Sequence, residues 1–227
     1  MTWLSASNQP QKVIRIIVTT TISTVITRSK ATRVTMKRRQ KKSATEELTT
    51  LFTILGIFWA IEILDQAVFR GGLDRYGIQP RSIIGLRGII FAPFLHGGFS
   101  HLIANTIPFL TLGWLTMIQE TSDFYLVSIA SALVGGLGVW LFGGANSVHI
   151  GASILIYGYL GFLLLRGVFQ RNLPSIFLSI IVFLVYGGLV FGIFPSQVGV
   201  SWQGHLFGFI GGAFTAWAVA KEKNYYS

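Results

Sequence analysis

Gly151-Ala152-Ser153 opens the apolar run Ile154-Leu155-Ile156-Tyr157-Gly158-Tyr159-Leu160, and fifty-two residues after Ser153 a second apolar segment carries His205 between Gly204 and Leu206. A hydroxyl and an imidazole at membrane depth need hydrogen-bond partners or a water-filled cavity, so each is a functional candidate there. On neighbouring helices the two would supply a nucleophile and its general base.

The composition of the chain places both runs in a membrane. Hydrophobic residues make up 52% of the 227 residues and charged residues 11%, against about 25% charge in ordinary globular domains. Mean hydropathy is +0.61. Trp114, Trp140, Trp202 and Trp217 fall near the ends of apolar stretches, where interfacial anchors belong. The chain has no cysteine, which excludes disulfides, thiolate metal sites and a cysteine nucleophile.

Stretches of about twenty apolar residues predict six membrane spans, at roughly 48–69, 99–119, 124–143, 151–168, 174–194 and 202–220. The fold class is therefore all-α and polytopic, with a membrane domain over residues 46–223. The first loop, about thirty residues long, contains apolar pairs such as Ile83-Ile84 and Ile89-Ile90. Loops of that length are uncommon without a role, and the apolar pairs predict a structured element dipping into the interface.

Ten Lys and Arg residues and no acidic residue lie within residues 1–45. With that end cytoplasmic and six alternating spans, Arg166, Arg171, Lys221 and Lys223 are also inside, while Arg70, Arg75, Arg81 and Arg87 are outside. The bias gives both termini a cytoplasmic placement. The net charge of +10 then reads as a topology signal, and no nucleic-acid partner is expected. Residues 1–45 are expected to be a disordered basic segment, with Met36 as an alternative start.

On this topology spans two, four and six all begin on the outer side, which gathers their polar residues at one depth. His101 and Asn105 are four apart and share a helix face. Two neutral donors beside a serine are what a tetrahedral oxyanion requires. Ser153 and Tyr157 are likewise four apart. His205 is followed by Gly208 and Gly212, a small-residue ridge that lets helix backbones approach closely. Glu62 and Asp65 in span one are expected to pair with a loop arginine.

These residues together resemble the rhomboid intramembrane serine proteases over essentially all of residues 48–220. His101 and Asn105 meet the family's His-x-x-x-Asn pattern, with His96 as its upstream histidine. Gly151, Ala152 and Ser153 meet Gly-x-Ser, and His205, Gly208 and Gly212 meet His-x-x-Gly-x-x-x-Gly. Arg87 falls where the first loop of similar proteins carries a Trp-Arg pair, with Leu86 in place of the tryptophan. The resemblance implies a six-helix bundle with a long interfacial loop, a Ser153–His205 dyad and an oxyanion site formed by the Ser153 N–H, His101 and Asn105. It also implies Tyr157 stacked on the histidine, transmembrane proteins in the lipid bilayer as substrates, and no metal or cofactor. One departure stands out: Ile154 follows Ser153 where glycine is usual. A silent rhomboid-like protein that binds membrane clients and a six-span transporter are the alternatives, the first resting on Ile154 alone.

Overall fold

The computed structural model describes residues 44–118, 120–195 and 199–226, the last few of these for their backbone only. The expectation for residues 1–45, and the alternative start at Met36, lie almost entirely outside the described residues. Six long helices follow in order: α1 (Ala44–Phe69), α2 (Phe99–Met117), α3 (Thr121–Phe142), α4 (Ser153–Gln170), α5 (Leu173–Tyr186) and α6 (Trp202–Tyr226). No strand occurs among the described residues; one isolated bridge pairs Ile78 with His149.

Four of these helices, α1, α3, α4 and α5 with its 3-10 extension, are long and apolar enough to cross a membrane. The protein is an integral membrane protein with an all-helical domain. The two helices that fall short, α2 and α6, carry His101 and Asn105, and His205 with its glycines. The polar residues of both line one cavity, which lowers their apolar content.

α4 is the centre of the bundle. Within its most apolar window 67% of residues are buried, against 6% in α5, so α4 is enclosed by protein while α5 is left to lipid. Its main partner is α6, followed by α5, α3 and α2. The α4–α6 contact is backbone on backbone: a Cβ added at Gly212 would lie 1.8 Å from the Gly158 carbonyl oxygen, and one at Gly208 would lie 2.4 Å from that of Ile154. Such an approach requires residues without side chains. α1 lies against α2 through the edge contact of Phe58 with Phe109 and the bond from the Trp59 indole to Thr106. At the end of the bundle away from Ser153, buried Arg166 of α4 pairs with Asp123 of α3 at 3.1 Å.

The long first loop is structured, as its apolar pairs suggest. It forms 3-10 turns at Asp74–Tyr76 and Ile84–Arg87, a helical turn at Gly88–Phe91 and a last 3-10 turn at Ala92–Phe94. Ile83 and Ile90 project outward, 84% and 68% exposed, as an element resting in the interface would present them. The loop grips the end of α3, where Arg81 donates to the carbonyls of Leu141 and Gly143 and the Trp140 indole donates to Ser82.

The expected pairing of Glu62 and Asp65 with a loop arginine does not occur. Glu62 accepts from Gln66, and Asp65 accepts from the Leu73 backbone N–H. One oxygen of each carboxylate is buried without a partner. Three loop arginines are engaged elsewhere: Arg75 and Arg87 lie over the Tyr76 ring, and Arg81 serves α3. Asp74, with a further unpartnered buried oxygen, is pushed up to about 6 by burial and then by the neighbouring Asp65 and Glu62 carboxylates.

Candidate active site

A cavity of about 850 Å³ opens at the end of the bundle where α2, α4 and α6 begin, and Ser153, His205, His101, Asn105 and Tyr157 all line it. Ser153 is the first residue of α4. The turn before it needs glycine at Gly151 for two reasons: φ is +116°, and an added Cβ would meet the His101 ring at 2.7 Å. Each reason alone disfavours a side chain there.

His205 is held from two sides. Its ring stacks on Tyr157 with centroids 3.9 Å apart and planes 7° from parallel. Its Nδ1 lies 3.0 Å from the Gly192 carbonyl oxygen, which can only accept, so Nδ1 carries the proton and Nε2 keeps its lone pair. Tyr157 is anchored in turn by its hydroxyl, which donates to the Leu189 carbonyl at 2.8 Å. Both carbonyls come from the 3-10 segment Gly187–Ile193 that follows α5. Gly192 has no room for a side chain, since a Cβ would fall 1.9 Å from the Tyr157 hydroxyl. Neither Leu189 nor Gly192 stands out in the sequence, because a backbone acceptor has no side-chain signature.

His101 and Asn105 lie on α2. The His101 Nδ1 accepts from the Gly97 backbone N–H at 3.4 Å, which leaves the proton on Nε2, the nitrogen next to Gly151. Asn105 is buried, and its amide nitrogen has no hydrogen-bond partner. A buried donor left unpaired costs about 1–3 kcal/mol, and Asn105 lines the cavity wall. His96 does not line the cavity but braces it: its Nε2 accepts from the Ala152 N–H at 3.4 Å and its ring meets that of His101 edge-on at 5.3 Å. Burial first, and His101 second, hold its pKa down at about 3, so the ring is neutral and able to accept.

No hydrogen bond joins the Ser153 hydroxyl to His205 among the described residues. Such bonds are often loose before substrate binds and tighten in the complex. The remaining expected residues lie farther out. Gly208 and Gly212 set the α4–α6 contact. Arg87 sits in the first loop with its guanidinium 4.4 Å above the Tyr76 ring, outside the cavity.

A sequence profile of the Rhomboid domain matches residues 85–222. The chain belongs to the rhomboid family. It is 42% identical over 180 residues to the uncharacterized protein Rv1337 of Mycobacterium tuberculosis, covering 76% of this chain and 75% of that one. It is 40% identical over 179 residues to the uncharacterized protein ML1171 of Mycobacterium leprae, covering 75% and 70%. YdcA of Bacillus subtilis, whose name proposes a rhomboid protease, is 25% identical over 179 residues, covering 78% and 88%.

In this rhomboid the departure at Ile154 is absorbed by glycines on two neighbouring helices. Ile154 is buried and does not line the large cavity. Added Cβ atoms at Gly135 of α3 and Gly204 of α6 would lie 3.1 and 3.2 Å from its side chain. Replacing Ile154 by Gly is therefore expected to lower stability, through added backbone freedom and a cavity, by about 2–5 kcal/mol. Turnover per folded molecule and the size of residue accepted at the scissile position should both stay as they are. Thermal unfolding alongside cleavage of substrates with Ala or Phe at that position checks this; a gain confined to Phe would place Ile154 in the substrate's path.

Proposed function

We propose that this rhomboid-family protein is an intramembrane serine endopeptidase that cleaves transmembrane proteins with a Ser153–His205 dyad. The observation that carries the reading is the commitment of His205 Nδ1 to the Gly192 carbonyl, in a cavity that also holds Ser153 and the unpartnered Asn105 amide. A backbone carbonyl and a stacked tyrosine do for this imidazole what a carboxylate does in a triad: they choose the tautomer and fix the ring.

In this reading Ser153 Oγ attacks the scissile carbonyl carbon while His205 Nε2 takes the hydroxyl proton. The oxyanion is held by the Ser153 N–H, the His101 Nε2–H and the Asn105 amide. Collapse breaks the C–N bond, and the leaving amine takes the proton back from His205. Water, deprotonated by the same nitrogen, then attacks the Ser153 ester; the acyl–Oγ bond breaks, Ser153 Oγ takes the proton back from His205, and the acid product is released. Substrates are transmembrane proteins with helix-weakening residues near the cut, because a regular helix keeps its carbonyls bonded within itself. The charge bias of the sequence supports both termini cytoplasmic, and the mycobacterial and Bacillus relatives support a bacterial plasma membrane. Ile154 does not line the large cavity, though it lines a small pocket with Ser153, so the silent-homologue alternative keeps only that contact in its favour.

Truncating one donor tests the oxyanion assignment. Asn105→Ala and His101→Ala are each expected to lower turnover of a transmembrane reporter by roughly 10²–10³, as loss of one oxyanion donor does elsewhere, with KM changed far less. An affinity loss at unchanged turnover would instead make both residues helix tethers.

A further inference from the structure

His149, in the loop between α3 and α4, is the cavity-lining histidine that no motif above uses. Both of its ring nitrogens are engaged, Nδ1 with the Ser201 hydroxyl at 2.6 Å and Nε2 with the Ser147 hydroxyl at 2.8 Å. Its backbone is pinned as well, exchanging two 2.9 Å hydrogen bonds with Ile78 of the first loop. The ring is therefore fixed in place and orientation.

His149 and Ser201 stand in equivalent places. His149 is four residues before Ser153, and Ser201 is four residues before His205. Ser201 also begins the backbone ladder of α6, its carbonyl accepting from the His205 N–H at 3.0 Å. Among the described residues, the His149–Ser201 bond is the one hydrogen bond that joins the loop leading into α4 directly to the start of α6. Deeper in the membrane, glycine contacts fix the separation of these helices; at the cavity end, where Ser153 and His205 both line the cavity, this bond adds a hydrogen-bonded tie to the packing of Gly204 on Ile154.

We propose that His149 is a positioning residue for the dyad, hooking the Ser153 loop onto the first turn of α6 through Ser201 so that Ser153 Oγ and His205 Nε2 stay within reach of each other. The inference rests on the dyad reading above. Burial lowers the His149 pKa, so the ring is neutral and has one donating and one accepting nitrogen. A hydroxyl can take either role, which suits serine on both sides.

The test uses the full-length chain in proteoliposomes with a transmembrane reporter, measuring kcat, KM and thermal unfolding for His149→Ala, Ser201→Ala, the double variant and His149→Gln. Because a misplacement of about 1 Å costs on the order of a hundredfold in a positioned reaction, His149→Ala and Ser201→Ala should each lower kcat tenfold to a hundredfold, with KM within about twofold. The double variant should be no slower than the slower single one, since both changes break one bond. His149→Gln, which keeps a donor and an acceptor, should recover part of the rate. Wild-type kcat in both single variants, additive losses, or an effect confined to KM or to unfolding would overturn the proposal while leaving the dyad in place. Wild-type protein no more active than Ser153→Ala would overturn the dyad and this inference with it.

Discussion

Replacing Ser153 by Ala is expected to abolish cleavage of a transmembrane reporter, a loss on the order of 10⁶ in turnover if the dyad acts as a unit, without lowering the unfolding temperature. The two parts of that expectation have separate origins. The loss follows from the dyad reading, in which Ser153 is the nucleophile. The unchanged stability follows because the Ser153 hydroxyl makes no hydrogen bond among the described residues, so its removal strands no partner. His205→Ala should be equally inactive but less stable, since the Tyr157 stack and the bond to Gly192 are lost with it. Cleavage by Ser153→Ala within a few-fold of wild type, read from the reporter fragments by mass, would remove Ser153 from the chemistry.

Gly208→Leu should lose both activity and stability. A Cβ at Gly208 would overlap the Ile154 carbonyl, and backbone cannot yield as a flexible side chain can, so α6 must move away from α4. His205 lies one turn earlier on α6 and Ser153 is the neighbour of Ile154, so the displacement falls directly on the dyad. A shift of about 1 Å is expected to cost at least a hundredfold in turnover, and the disrupted contact should lower the unfolding temperature by several degrees, each ~1 kcal/mol being worth about 2–4 °C at this chain length. Full activity in Gly208→Leu would show that the α4–α6 contact does not set the geometry of the site.

Much of this architecture was legible from residue order alone. The six apolar runs coincide with the six long helices, four of which are long and apolar enough to cross a membrane, because a membrane demands a continuous apolar surface whatever the tertiary contacts. Gly208 and Gly212 were legible for a related reason: close backbone approach leaves its mark as missing side chains. Other features carry no such mark. The carbonyls of Leu189 and Gly192 that orient Tyr157 and His205 belong to the backbone of an apolar segment. His149 reads as an ordinary loop histidine until Ser201, fifty-two residues away in sequence, is seen beside it. For Glu62 and Asp65 the expected arginine partner was wrong because loop arginines found carbonyls and an aromatic face, which satisfy guanidinium groups as well as a carboxylate does. Ile154 was legible only as a departure; its two glycine neighbours, on α3 and α6, turn it into ordinary packing.

Covalent labelling tests the central claim most directly. The full-length protein, reconstituted and treated with a fluorophosphonate, should gain one adduct, and peptide mass analysis should place it on Ser153. Ser153→Ala should stay unlabelled and His205→Ala should label far more slowly, because the hydroxyl has lost its base. Absence of labelling in folded wild-type protein, an adduct on another serine such as Ser201, or His205→Ala labelling at the wild-type rate would contradict the account.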